Sequence, residues 1–268
     1  MPCPRGSVAR GAAAALVLAL AAACRPAAPA NPVRLPDPPA SLPPGPFQHT
    51  MLSGVLAAGP APADPGATDR TLRAYLAALA AFGPRSHPAL FPAAEDRLAW
   101  LVNAHVAWAI ALAGAPELAS VAPAVRRRIE LPLDRARTTL AALAEEIARR
   151  APNDPRLGLW LDPGTPDRPP WPPAALEGHA FGFLVDLQAR RCGAAPGTWT
   201  LDAGSRRLTV AGWAERLPGL PDERAQRFRR LLDVVPPPPA LRASALETCG
   251  GALQRCRLEV AAAAPPPD

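Results

Sequence analysis

Apolar residues at Leu72, Tyr75, Leu76, Leu79 and Phe82 recur every three or four positions. That is the period of one buried helix face. Asp69 offers an N-cap ahead of them, and Gly83-Pro84 offers a stop. A second run opens after Pro92, with Glu95 and Asp96 in its first turn, where the helix dipole favours acids. It continues through Leu98, Trp100, Leu101, Val102, Val106, Trp108, Ile110 and Leu112 to Gly114. This run is apolar on nearly every side, which predicts the central, buried helix. Leu140, Leu143, Ala144 and Ile147 predict a third helix, capped by Thr138 or Thr139. Later helices are expected at about 173–191, 222–234 and 240–253.

Strand signals are short. Leu157–Leu161 is one candidate. Thr198–Asp202 and Arg207–Val210 flank Ala203-Gly204-Ser205 and read as a hairpin, and Arg257–Val260 offers a last strand. Helices dominate and a small antiparallel sheet packs among them, so the expected fold class is α+β, a mainly helical single domain.

The amino terminus follows another pattern. Arg5 and Arg10 precede thirteen small or apolar residues at 11–23, and Cys24 follows. A basic start, a short apolar stretch and small residues before a cut describe a secretory signal. Thirteen helical residues span about 20 Å, short of a bilayer core of about 30 Å. Ala21-Ala22-Ala23-Cys24 resembles a bacterial lipobox, in which the cysteine is lipidated, although leucine stands at Leu20 rather than three places before the cysteine. Lipidation of Cys24 is the expectation and plain secretion the alternative. Arg25 rather than Asp follows the cysteine, which by resemblance to enteric sorting rules favours the outer membrane. Residues 25–48 hold nine prolines, and 58–69 keep that character. Such segments favour extended polyproline II and bury little. The expected organisation is a signal peptide at 1–23, a lipidated cysteine and Pro-rich tether at 24–68, a folded domain at 69–262 and a tail at 263–268.

Charge changes this picture little. The net charge is +6 and all 29 cations are arginine, but they are scattered, and Arg126-Arg127-Arg128 lies beside Glu130 and Asp134. Nucleic-acid surfaces concentrate charge and interleave aromatics, so no nucleic-acid partner is expected.

The order of signals is similar to that of domain-of-unknown-function family 547. The similarity rests on Tyr75-Leu76, on Glu95-Asp96-Arg97-Leu98-Ala99-Trp100-Leu101-Val102-Asn103-Ala104, on Thr139-Leu140 through Ile147 and Arg149, and on Asp154-Pro155-Arg156-Leu157. It covers roughly residues 70–262. The resemblance implies an α+β fold with no assigned activity, and a kinship with transglutaminase and papain-like cysteine hydrolases. The family's polar positions are mostly replaced. His105-Val106 stand for its Tyr-Asn, Ala144 for the glutamate of its third helix, and Gly158 for its histidine. Asp162-Pro163-Gly164-Thr165 stand for its Asn-Cys-Gly-Ser, and Arg168 for its second cysteine. A thiolate nucleophile needs a cysteine beside a base, and no cysteine lies between Cys24 and Cys192.

Other chemistry is sparse. No HExxH, CxxC, Gly-rich phosphate loop or GxSxG occurs, so neither a metal nor a cofactor is expected. Asn103 and His105 read first as core groups that satisfy buried hydrogen bonds. With Glu95 and Arg156 they form the alternative, a divergent envelope hydrolase or transferase with those four side chains around one cleft. In an oxidising envelope, Cys192, Cys249 and Cys256 leave one thiol over. A Cys249–Cys256 bridge requires the chain to break at Gly250-Gly251, because a continuous helix holds positions seven apart about 10 Å away from each other. Cys192 with either one is the competing pairing. The leading expectation is a lipid-anchored cell-envelope protein facing the periplasm or exterior, a binding or scaffold module without catalysis, held to the membrane and open to an envelope protein partner. The sequence leaves its oligomeric state open.

Overall fold

The structure is a computed structural model and describes residues 29–41, 45–161 and 170–261. The signal peptide, Cys24, the segment Asp162–Thr165 with Arg168, and the tail lie outside the described residues. Helices α1 (Thr50–Ala58), α2 (Pro65–Ala81) and α3 (Ala94–Ala113) come first. A short α4 (Pro123–Arg126), a hairpin of β1 (Leu131–Leu133) and β2 (Ala136–Thr138), and α5 (Leu140–Arg150) follow. Helix α6 (Phe181–Ala194), strands β3 (Trp199–Asp202) and β4 (Arg207–Val210), helices α7 (Arg224–Val234) and α8 (Pro239–Thr248), and β5 (Arg257–Val260) complete a mainly helical α+β domain.

Helix α3 is the central element. Every residue from Ala99 to Trp108 is buried, and α2 and α5 pack against it. Its first turn is closed by the Asp96 carboxylate, which accepts from Ala93 N at 3.0 Å. Helix α5 starts where the Thr139 hydroxyl accepts from Ala142 N at 3.1 Å, and it buries Leu140, Leu143 and Ile147.

The structure departs from the expected organisation at the amino-terminal side. Residues 47–58, expected within the tether, form part of the core. Phe47, Leu52, Val55 and Leu56 are buried, and Val33 and Leu35 pack on the same cluster. Leu52, Val55 and Leu56 are spaced three and one apart on one helical face, a short stripe hidden between proline-rich stretches. Helix α2 also begins four residues before Asp69. Its N-cap is Asp64, which accepts from Ala67 N at 2.8 Å, with Pro65 in the first turn.

Two further expectations change. Leu157–Leu161 is not a strand, because Pro155–Leu159 forms a 3₁₀ turn started by the Asp154 side chain, which accepts from Arg156 N at 3.1 Å. The helix expected from 173 begins at Phe181, because the backbone of Leu176 is committed to the Asn103 side chain of α3. The β3–β4 hairpin is antiparallel as expected, with Trp199 opposite Val210. The last strand, β5, joins β4 in parallel, with Leu208 opposite Leu258. Parallel pairing needs a long crossover, and α7 and α8 supply it.

Cys249 and Cys256 form a disulfide with Cα atoms 5.2 Å apart. Gly250 (φ 69°) and Gly251 (φ 85°) take the left-handed conformations that reverse the chain after α8. Cys192 is buried, and burial pushes its thiol up to about 12. Non-reducing peptide mapping should therefore recover Cys249 linked to Cys256. Iodoacetamide at neutral pH should label Cys192 only after denaturation; labelling of the native protein would contradict its burial.

Candidate functional site

Two polar centres and one groove stand out among the described residues. The first centre is sealed. His49 and Tyr75 are buried, and His49 Nδ1 lies 2.6 Å from the Tyr75 hydroxyl. The aromatic rings of Phe47 and Tyr75 flank the imidazole. The half-buried Glu177 accepts from His49 N at 3.1 Å. Burial drives the imidazole down to about 3. It raises the Tyr75 hydroxyl well above its ordinary value, and the Glu177 charge adds to that rise. Burial also raises Glu177. The imidazole stays neutral and out of reach of solvent, so the centre holds α1 to α2 rather than meeting a substrate.

The second centre contains Asn103. Its Nδ2 donates to the Leu176 carbonyl at 2.8 Å, and Leu176 N donates to its Oδ1 at 2.9 Å. Asn103 and Leu176 are both fully buried. The amide acts as a two-point clasp between α3 and the loop that leads to α6. His105 is also fully buried in α3. Glu95 is exposed in the first turn of that helix. Arg156 sits in the 3₁₀ turn, where its Nε and Nη2 donate to Asp154 at 2.8 and 2.7 Å and its Nη1 donates to Asp186. Of the four residues read from sequence as one cleft, Arg156 borders a polar cleft with Arg230 and Asp233. Asn103, His105 and Glu95 border neither that cleft nor the apolar groove. No group of three or more His, Cys, Asp or Glu side chains gathers in metal-binding proximity among the described residues.

The groove is built by three elements. Helix α5 and the turn after it contribute Ala144, Ile147, Ala148, Ala151 and Pro152. The 3₁₀ turn adds Leu157 and Gly158, with Leu161 beyond it, and the loop after β4 adds Trp213, Leu217, Pro218 and Gly219. The groove has a volume of about 230 Å³. The loop seats so closely on the turn that a Cβ at Gly158 would lie 2.5 Å from Pro218 Cδ and 3.0 Å from Leu217 Cδ2. Its polar rim is Arg127, Asp154 and Arg216. Asp154 is already neutralised by Arg156, whereas Arg216 is exposed and has no ion pair or hydrogen bond from its side chain among the described residues. Sequence reasoning missed this groove, because one wall comes from residues 144–161 and the other from 213–219, more than 50 positions further along the chain. The available signal was alanine at 144 and 148 on an otherwise amphipathic helix and at 151 just after it.

Comparison of the chain with models of known families, with curated proteins and with solved structures found no match. Ala144 of α5 and Gly158 of the 3₁₀ turn both line the groove.

Proposed function

We propose that this chain is a lipid-anchored protein of the bacterial cell envelope, a divergent relative of family 547, whose domain works as a binding module and not as a catalyst. The observation that carries this reading is the groove of Ala144 and Gly158. Two positions where the resemblance has glutamate and histidine line one cavity, and here one is alanine and the other glycine. Gly158 leaves no room for an imidazole, because the Leu217-Pro218 loop occupies the space above it. General acid–base chemistry needs a titratable group within hydrogen-bond reach of the reacting atoms, and Asp154 on the rim is held in its ion pair with Arg156. The walls of Ala144, Ile147, Leu157, Leu161, Trp213 and Leu217 are apolar, which is what binding a small molecule needs.

Anchoring follows from Cys24 behind its apolar stretch. Val33 and Leu35 pack on the core, and nine positions separate Cys24 from Val33. A chain reaches at most about 3.5 Å per residue, so the packed domain lies within about 30 Å of the anchor. Expressed in a bacterium with a lipoprotein pathway, the wild type should partition with membranes and take up a clickable fatty acid. Cys24→Ser should appear unlabelled in the soluble periplasmic fraction. Fatty-acid labelling that survives Cys24→Ser, or an unlabelled wild type, would refute the anchor.

A further inference from the structure

We propose that the groove takes a small amphipathic organic anion, with a ring-sized apolar body against Ile147, Leu157, Trp213 and Leu217 and a carboxylate on Arg216. This deepens the binding-module reading and rests on it. Size comes from the volume. An apolar protein cavity of about 150 Å³ admits a benzene ring, and the groove has a volume of about 230 Å³, room for a six-membered ring and a short side arm. The chemistry of the body comes from the walls, since Ile147, Leu157, Leu161, Trp213 and Leu217 present carbon and reward removal of apolar surface from water.

The sign of the head comes from the rim. Among the described residues, three charged ones border the groove. Asp154 is bound through both oxygens by Arg156, so it neither repels an anion strongly nor attracts a cation. Arg216 stands at the mouth with its guanidinium uncommitted among the described residues, and Arg127 lies on the same rim. A guanidinium presents paired N–H donors that fit a carboxylate at two points. A neutral ligand would leave the Arg216 donors to water, and a cationic one would be repelled by Arg216.

The test uses the chain carrying Cys24→Ser, with 3-phenylpropionate, its uncharged amide 3-phenylpropanamide, and propionate as probes, followed by calorimetry and by ¹H–¹⁵N spectra. Phenylpropionate should bind saturably, the amide about tenfold more weakly, and propionate not detectably up to about 10 mM. Arg216→Gln should bring phenylpropionate down to the affinity of the amide while leaving the amide unchanged. Ala148→Trp should fill the groove and abolish binding of both. Arg216 and Ala148 are exposed, and unchanged melting of each variant separates loss of binding from loss of fold. If Ala148→Trp lowers the melting temperature, the wild-type spectra decide the same question, with shifts confined to groove residues supporting the site and shifts elsewhere overturning it. Equal affinity for acid and amide would overturn the anionic class and leave the groove as a binding site. Absence of saturable binding, or binding indifferent to both variants, would overturn the groove itself.

Discussion

Asn103→Ala should lower stability by about 2–6 kcal/mol. The side chain satisfies two buried backbone groups at once, the N–H and the C=O of Leu176. Truncation leaves both in the interior without partners, and each stranded group costs about 1–3 kcal/mol. Against a usual stability of about 5–15 kcal/mol this is a large loss, equivalent to roughly 10 °C in Tm for a domain of this size. Asn103→Asp should be nearly as damaging, because a carboxylate accepts from the Leu176 N–H but turns its second oxygen toward the Leu176 carbonyl. Loss of the clasp should also release the 174–180 loop, visible as faster amide exchange there. The decisive comparison sets thermal melts beside titration with phenylpropionate. An Asn103→Ala variant that melts like wild type but no longer binds would make Asn103 a site residue and the clasp irrelevant.

The second large effect is with pH. His49 is buried and neutral, with its folded pKa lowered to about 3 by burial, against about 6.5 in an unfolded chain. Between those values the unfolded state holds a proton on His49 that the folded state does not, so stability rises with pH across the window and is lost as the solution is acidified. The slope from this one group is about 1.4 kcal/mol per pH unit. Glu177 works the other way. Its folded pKa is raised by burial, so above the ordinary carboxylate range it keeps its proton longer in the folded state and offsets part of the slope. The carboxylates of Glu146, Asp202 and Glu223 are held low by hydrogen bonds, but they are solvent-exposed or nearly so and add little. Urea unfolding at pH 7, 6, 5 and 4 should give a falling midpoint in the wild type and a slope smaller by close to one proton in His49→Gln. Equal slopes for the two proteins would mean that His49 is already charged in the folded state or is reached by water.

Signals in this chain were legible to the extent that they were local. Helix α3 announced itself because apolar residues on every side can be buried only at the centre of a helical fold, and it lies there. The hairpin at 199–210 was readable because its turn residues leave few alternatives, and the Gly250-Gly251 reversal was implied once Cys249 and Cys256 were required to meet. Proline content misled at 47–58, since composition averaged over the segment conceals three apolar residues spaced to fill one helix face. His49, placed in a linker by that same reading, is instead buried against Tyr75.

What tertiary structure alone decided concerns the partners of each side chain. Residue type told that Asn103 in an apolar helix must satisfy something, but not that its partner would be the backbone of Leu176, 73 positions away. Nothing local distinguishes an Arg156 aimed into a cleft from one held between Asp154 and Asp186. The groove is the clearest case. Ala144, Gly158 and Leu217 are ordinary residues in sequence and become a cavity only when α5, the 3₁₀ turn and the loop after β4 are packed together. Secondary structure is written in short-range periodicity and turn chemistry, which any one segment carries whole. A binding cavity is the space left between segments, and its shape exists only after long-range packing has brought them into contact.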